Sequence, residues 1–152
     1  MQYRGFTRQA RKVMRIAERL AEKEQQLRMG SEYILAGLLQ ENDGVAGQIL
    51  QQLSVNCEEI LTLIHEISLP KTEEQVADGD FLTPESRAIV EEAYAVAERF
   101  DSELVGTEHL LFSIIEHRTS AAARMLLAMN INLGKVYADI LAAMGKENLF
   151  SK

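Results

Sequence analysis

Near the start of the chain, apolar residues recur three and four positions apart: Ala10, Val13, Met14, Ala17, Leu20 and Ala21. That spacing predicts a helix with one buried face, and Thr7, just before it, is a good N-cap. From Ser31 the pattern changes. In "SEYILAGLL" the apolar positions run almost all the way round, as expected for a central helix enclosed by its neighbours. A third, short helix is predicted over roughly 45–53, with Ile49, Leu50 and Leu53 on one side. Asn56 with Glu59 reads as a capping box for a fourth, which carries Ile60, Leu63, Ile64 and Ile67 inward.

The same four-part pattern then returns. "GSEYILAGLL" at 30–39 is echoed by "GTEHLLFSII" at 106–115, and the offset of 76 also aligns Thr7 with Thr83, Arg11 with Arg87, Leu35 with Leu111, Asn56 with Asn132 and Ile64 with Ile140, with no insertion. A register held that long marks a tandem duplication. The twin of the first helix opens with Thr83-Pro84, a strong start because proline in the first turn loses no hydrogen bond, and Ile89, Val90, Ala93, Val96, Ala97 and Phe100 form its buried stripe. A twin of the third helix is predicted over 121–129, and Asn132 caps the twin of the fourth. The expected fold is all-α: a pseudo-twofold tandem repeat of two four-helix units forming one compact domain. Repeat one spans 6–67, a polar linker 68–81, repeat two 82–144 and a tail 145–152.

Composition narrows the function. The formal net charge of −7 argues against a general nucleic-acid binder. No apolar stretch is long enough to cross a bilayer, and the charged N-terminus lacks a secretory signal's apolar core. The single Cys57 cannot form an internal disulfide, so a cytoplasmic setting is expected. His65 and His117 have no partners at metal-binding spacing, and Glu108 and His109, adjacent on a helix, point about 100° apart rather than converging. Neither Gly134-Lys135 nor Gly145-Lys146 sits in a phosphate loop. The expectation is a non-enzyme without metal or cofactor. Met14, Met29, Met125, Met129 and Met144 read as core filler, and Cys57 as a half-buried structural thiol. Arg4, Arg8, Arg11, Lys12, Arg15 and Arg19 fall at helical spacing; the plain reading is a solvated face with ion pairs to glutamates.

The repeated Gly-Ser/Thr-Glu has two readings. Structurally, Ser31 and Thr107 are N-caps, and Glu32 and Glu108 oppose the positive end of the helix dipole, each contributing about 0.3–1 kcal/mol. Functionally, if Thr7 at the start of the first helix lies near Glu32, free N–H groups and a hydroxyl hold an anion while the carboxylate faces a cation. Such a receptacle suits a bipolar ligand. Arg4, Arg8 and Arg11 favour anions at the first copy, whereas the second has Pro84 and Ala88 in place of Arg8 and Lys12.

"FT" opening one helix and "G[ST]E" the next, followed by "VAGQIL" or "AAARML" and then all of it repeated, resembles the N-terminal domain of Clp-type AAA+ unfoldases, closest to the ClpC kind. The resemblance implies a chaperone and protein-degradation role. The domain would dock adaptor proteins and arginine-phosphorylated clients, serving a Clp ATPase ring if the chain is part of a longer one. Carried over by residue, Thr7 and Thr83 with adjacent N–H groups would hold the phosphate, and Glu32 and Glu108 the guanidinium. Ser31, Tyr33 and Leu82 depart from the pattern, which has Thr, His and commonly an aromatic residue there. The alternative is a free-standing helical protein that binds, or competes for, an adaptor through its basic first helix without recognising phosphoarginine.

Overall fold

Thr7 and Thr83 begin the two halves in the same way. In a computed structural model that describes residues 3–67 and 81–145, with the backbone alone for Ile67, Thr7 Oγ1 accepts the N–H of Ala10 at 3.1 Å and starts α1 (Arg8–Lys23). Thr83 Oγ1 accepts that of Ser86 at 3.1 Å and starts α5 (Pro84–Arg99). The described residues hold six further helices: α2 (Ser31–Gln40), α3 (Val45–Gln52), α4 (Cys57–Ile67), α6 (Thr107–Glu116), α7 (Ala121–Ala128) and α8 (Leu133–Ala143). Every predicted helix is present. The linker up to residue 80 and the tail from 146 lie outside the described residues, as does the side chain of Ile67.

Each half is built on an antiparallel hairpin of its first two helices. α2 and α6 are buried nearly all round, and α1 and α5 each bury one stripe against them. Ala10, Val13, Met14, Ala17 and Ala21 close one stripe, and Ile89, Val90, Ala93, Val96 and Ala97 the other. One cluster of buried side chains runs through both halves, so they share a core. Met14, Met29 and Met125 are buried in it, and Met129 and Met144 pack against it.

The halves interlock through the repeated hydroxyls, which are not caps for their own helices. Gly30 and Gly106 occupy the N-cap positions of α2 and α6, so Ser31 and Thr107 are the first helical residues and their side chains face sideways. Ser31 Oγ accepts the N–H of Ala122 at 3.0 Å, in the first turn of α7. Thr107 Oγ1 accepts that of Ala46 at 3.1 Å, in the first turn of α3. Each hydroxyl therefore satisfies an orphan donor of the other repeat. Gly44 leaves room for this, since a Cβ there would lie 2.7 Å from Thr107 Oγ1.

Two short backbone contacts complete the interlock. Residues entering α1 run parallel to those entering α6, with Thr7 N–H donating to Val105 C=O at 2.9 Å and Val105 N–H to Gly5 C=O at 2.7 Å. Residues entering α5 run beside those entering α2, with Met29 N–H donating to Phe81 C=O at 2.6 Å and Thr83 N–H to Met29 C=O at 3.1 Å.

Candidate functional site

These contacts decide which residues meet. α1 has 16 residues and is about 24 Å long at 1.5 Å per residue. The hairpin turn therefore leaves Thr7 and Glu32 at opposite ends of it. The expected pairing within one repeat does not form; the pairing crosses between repeats. Thr7 lies against Val105, three residues before Glu108, and Thr83 against Met29, three before Glu32. The contacts thus bring Thr7 towards Glu108 and Thr83 towards Glu32, which makes two candidate receptacles.

Both carboxylates bend back over their N-cap glycines. A Cβ at Gly106 would come within 2.5 Å of Glu108 Oε1, and Glu32 crowds Gly30 in the same way. Thr7, Glu32, Thr83 and Glu108 are all partly exposed.

The receptacles differ in what they offer an anion. The N–H groups of Thr7 and Thr83 are both occupied by the cross-repeat carbonyls. At the first receptacle Arg8 and Gln9, the first two residues of α1, have N–H groups with no acceptor among the described residues. Thr7 Oγ1 only accepts, so its proton is available. At the second, Pro84 has no N–H and the Thr83 hydroxyl donates to Ser86 Oγ at 3.0 Å. Beside the first receptacle, Arg8, Arg11 and Arg15 line a hollow of about 280 Å³.

Residues 5–129, and again 81–150, match the Clp repeat (R) N-terminal domain family. The chain belongs to this family. It is 30% identical over 145 residues, 95% of this chain, to the negative regulator of genetic competence ClpC/MecB of Bacillus subtilis. It is 29% identical over 145 residues to the chaperone protein ClpB of Oceanobacillus iheyensis. The chain spans 18% of the length of each. Among solved structures it shares its fold with the N-terminal domain of ClpD from Arabidopsis thaliana (TM-score 0.77, 15% identity, 94% of this chain and 99% of that one). It also shares it with a ClpV N-domain in complex with a VipB peptide (TM-score 0.67, 16% identity, 92% and 89%).

Glu85 is the residue of this Clp repeat domain that sequence reasoning missed. Its Oε1 accepts from Ser31 Oγ at 2.9 Å and from the N–H of Ala121 at 3.0 Å, which fixes a second carboxylate beside Glu32. The Glu32 carboxyl is held above the usual range chiefly by burial, with Glu85 adding to the rise and a hydrogen bond from its own N–H opposing it. The available signal was the mismatch between copies, because the equivalent of Glu85 in repeat one is Gln9.

His109 also differs from its twin, Tyr33. Its Nδ1 accepts the N–H of Gly106 at 2.8 Å, which requires a neutral ring. Burial lowers its pKa, against the opposing pull of Glu108. In the unfolded chain the ring takes up a proton near pH 6.5, and the folded chain resists, so its contribution to stability falls as pH drops below that value. His109→Gln keeps an acceptor at this position and cannot protonate. Thermal unfolding at pH 7.5 and 5.5 should show the wild type losing more Tm than His109→Gln over that interval; equal losses would refute the assignment.

Proposed function

We propose that this chain is a docking domain of a Clp system, recognising phosphoarginine on client proteins at two cross-repeat receptacles, of which Thr7 with Glu108 is the stronger. The observation that carries this reading is the start of α1, where an available hydroxyl, two N–H groups without acceptors and nearby arginines stand beside a segment bearing a carboxylate. Phosphoarginine is an anion at its tip with cationic N–H groups behind it. Thr7 Oγ1 and the N–H groups of Arg8 and Gln9 donate to the phosphate, where the helix dipole also favours negative charge. Glu108 accepts the guanidinium N–H groups in charge-assisted hydrogen bonds. At the second receptacle Thr83 and Glu32 take the same parts, with Pro84 and Glu85 weakening the hold on the anion. The ClpV N-domain, whose structure holds a VipB peptide, supports the broader role of adaptor and client docking.

Titration calorimetry with one peptide in three forms tests the reading. The phosphoarginine form should bind, while the phosphoserine and plain arginine forms should not; equal affinity for all three would refute it. The single-glutamate variants separate the receptacles. Glu32→Ala, which keeps the one at Thr7, should bind about tenfold more tightly at low salt than Glu108→Ala, and the gap should narrow as salt screens the arginines. Identical salt slopes would remove the arginines' part in that difference.

A further inference from the structure

The ion pairs of the described residues lie away from the basic face of α1. His65 meets Glu24, Arg99 meets Glu92 and Glu116, and Lys135 meets Asp139. Arg4, Arg8, Arg11, Lys12, Arg15 and Arg19 are all exposed, and none has an ion pair within the described residues. The expected solvated face with glutamate partners is therefore a solvated face without them.

This arrangement opposes the fold's own stability. Arg8 with Lys12, Arg11 with Arg15 and Arg15 with Arg19 are like charges four apart, each pair costing about 0.2–0.5 kcal/mol. The first turn of α1 holds no acid, and Arg8 sits at the positive end of the dipole. The fold unit does not require it either. At the equivalent positions α5 has Pro84, Arg87, Ala88, Glu91 and Ala95, with Glu85 in its first turn. At 100° per residue, Arg8, Arg11, Lys12, Arg15 and Arg19 fall within an arc of about 100° directly opposite the buried stripe. The stripe they form is about 16 Å long, and Arg8, Arg11 and Arg15 line the open hollow along it.

We infer that this stripe is a docking surface for an acidic peptide segment of a partner protein, lying along α1 with its carboxylates between Arg8, Arg11, Arg15 and Arg19. Charge complementarity selects the occupant. A short acidic segment on one helix face feels mainly the field within a Debye length, about 8 Å at physiological salt, and relieves the repulsion among the arginines. A long polyanion such as a nucleic acid would also meet the rest of a molecule whose formal net charge is −7, so it is the less favoured occupant. The stripe shares Arg8, Arg11 and Arg15 with the surroundings of the first receptacle, but its ligand needs no phosphoarginine, so the two readings can fail separately.

The probe is an oligoglutamate peptide titrated against the full chain. It should bind the wild type at low salt, weaken steeply as salt rises, and bind the Arg8→Gln/Arg11→Gln/Arg15→Gln variant at least about tenfold more weakly. Glu32→Ala/Glu108→Ala and Arg118→Gln/Arg124→Gln should bind as the wild type does. The triple variant should keep or raise its Tm, since like charges are removed from an exposed face, and Arg11→Gln alone should give an intermediate loss. Equal binding by the triple variant would overturn the inference. So would tighter binding of a single-stranded oligonucleotide of matched charge, which would make the stripe a nucleic-acid surface.

Discussion

Replacing Glu32 and Glu108 together by alanine should abolish phosphoarginine binding while leaving Tm within a few degrees of the wild type. In the proposed complex each glutamate accepts from a guanidinium, and a hydrogen bond to a charged group is worth about 1.5–3 kcal/mol, so each receptacle should lose roughly ten- to a hundredfold in affinity. The fold loses far less. The dipole contribution of a first-turn acid is about 0.3–1 kcal/mol, and at Glu32 part of even this is returned. That carboxylate sits where burial and Glu85 both disfavour its charge, so its removal relieves a cost. Calorimetric titration beside thermal unfolding separates the two roles. Intact binding with a large fall in Tm would make the glutamates structural and end the recognition role. A second variant reaches a receptacle carboxylate without deleting it: Gly106→Ala places a Cβ 2.5 Å from the present position of Glu108 Oε1, which must shift, and should weaken binding at the first receptacle alone.

The fold was legible because the sequence states it twice. A constant offset of 76 positions fixed the helices, and caps such as Thr7, Thr83 and Asn132 were readable because each bonds within its own first turn. Partners across the fold were not readable. Ser31 and Thr107 have the composition of caps, yet they serve α7 and α3 of the opposite repeat, since glycine just ahead of them takes the cap position. The sequence singled out Thr7, Thr83, Glu32 and Glu108 as candidates, but not which threonine lies towards which glutamate: spacing places a residue along its helix, while the crossed pairing depends on backbone contacts at Val105 and Met29. Helix ends were obscured for a similar reason. Gln25, Ser54, Asp101 and Asn130 adopt the left-handed conformation after α1, α3, α5 and α7, a place where glycine is the usual marker.

The offset also pairs Gly37 with Ser113, and this pair governs how closely each hairpin closes. A Cβ at Gly37 would lie 2.6 Å from the carbonyl oxygen of Val13 and 3.1 Å from its Cγ1, so α1 and α2 touch through backbone. At the same point of the other hairpin, Ser113 Oγ donates to the carbonyl of Ile89 at 2.7 Å, and Ile89 is the twin of Val13. One crossing excludes a side chain; the other is held by one. Gly37→Ser should therefore force α1 away from α2, and because the obstacle is backbone it cannot rotate aside. Overpacking of this kind costs about 1–3 kcal/mol and occasionally more, against roughly 0.5–1 kcal/mol returned by removing glycine from a helix interior. A net loss of up to about 2.5 kcal/mol lowers Tm by up to roughly 8 °C for a chain of this size. The change should also reach the ligand, because α1 carries Thr7 and α2 carries Glu32, which belong to different receptacles, so both should weaken together. Thermal unfolding of Gly37→Ser and Gly37→Ala reads the first effect and peptide titration the second. A Tm equal to or above the wild type's in both variants would mean that the first hairpin has the spacing of the second, and that the close crossing of α1 and α2 does not exist in solution.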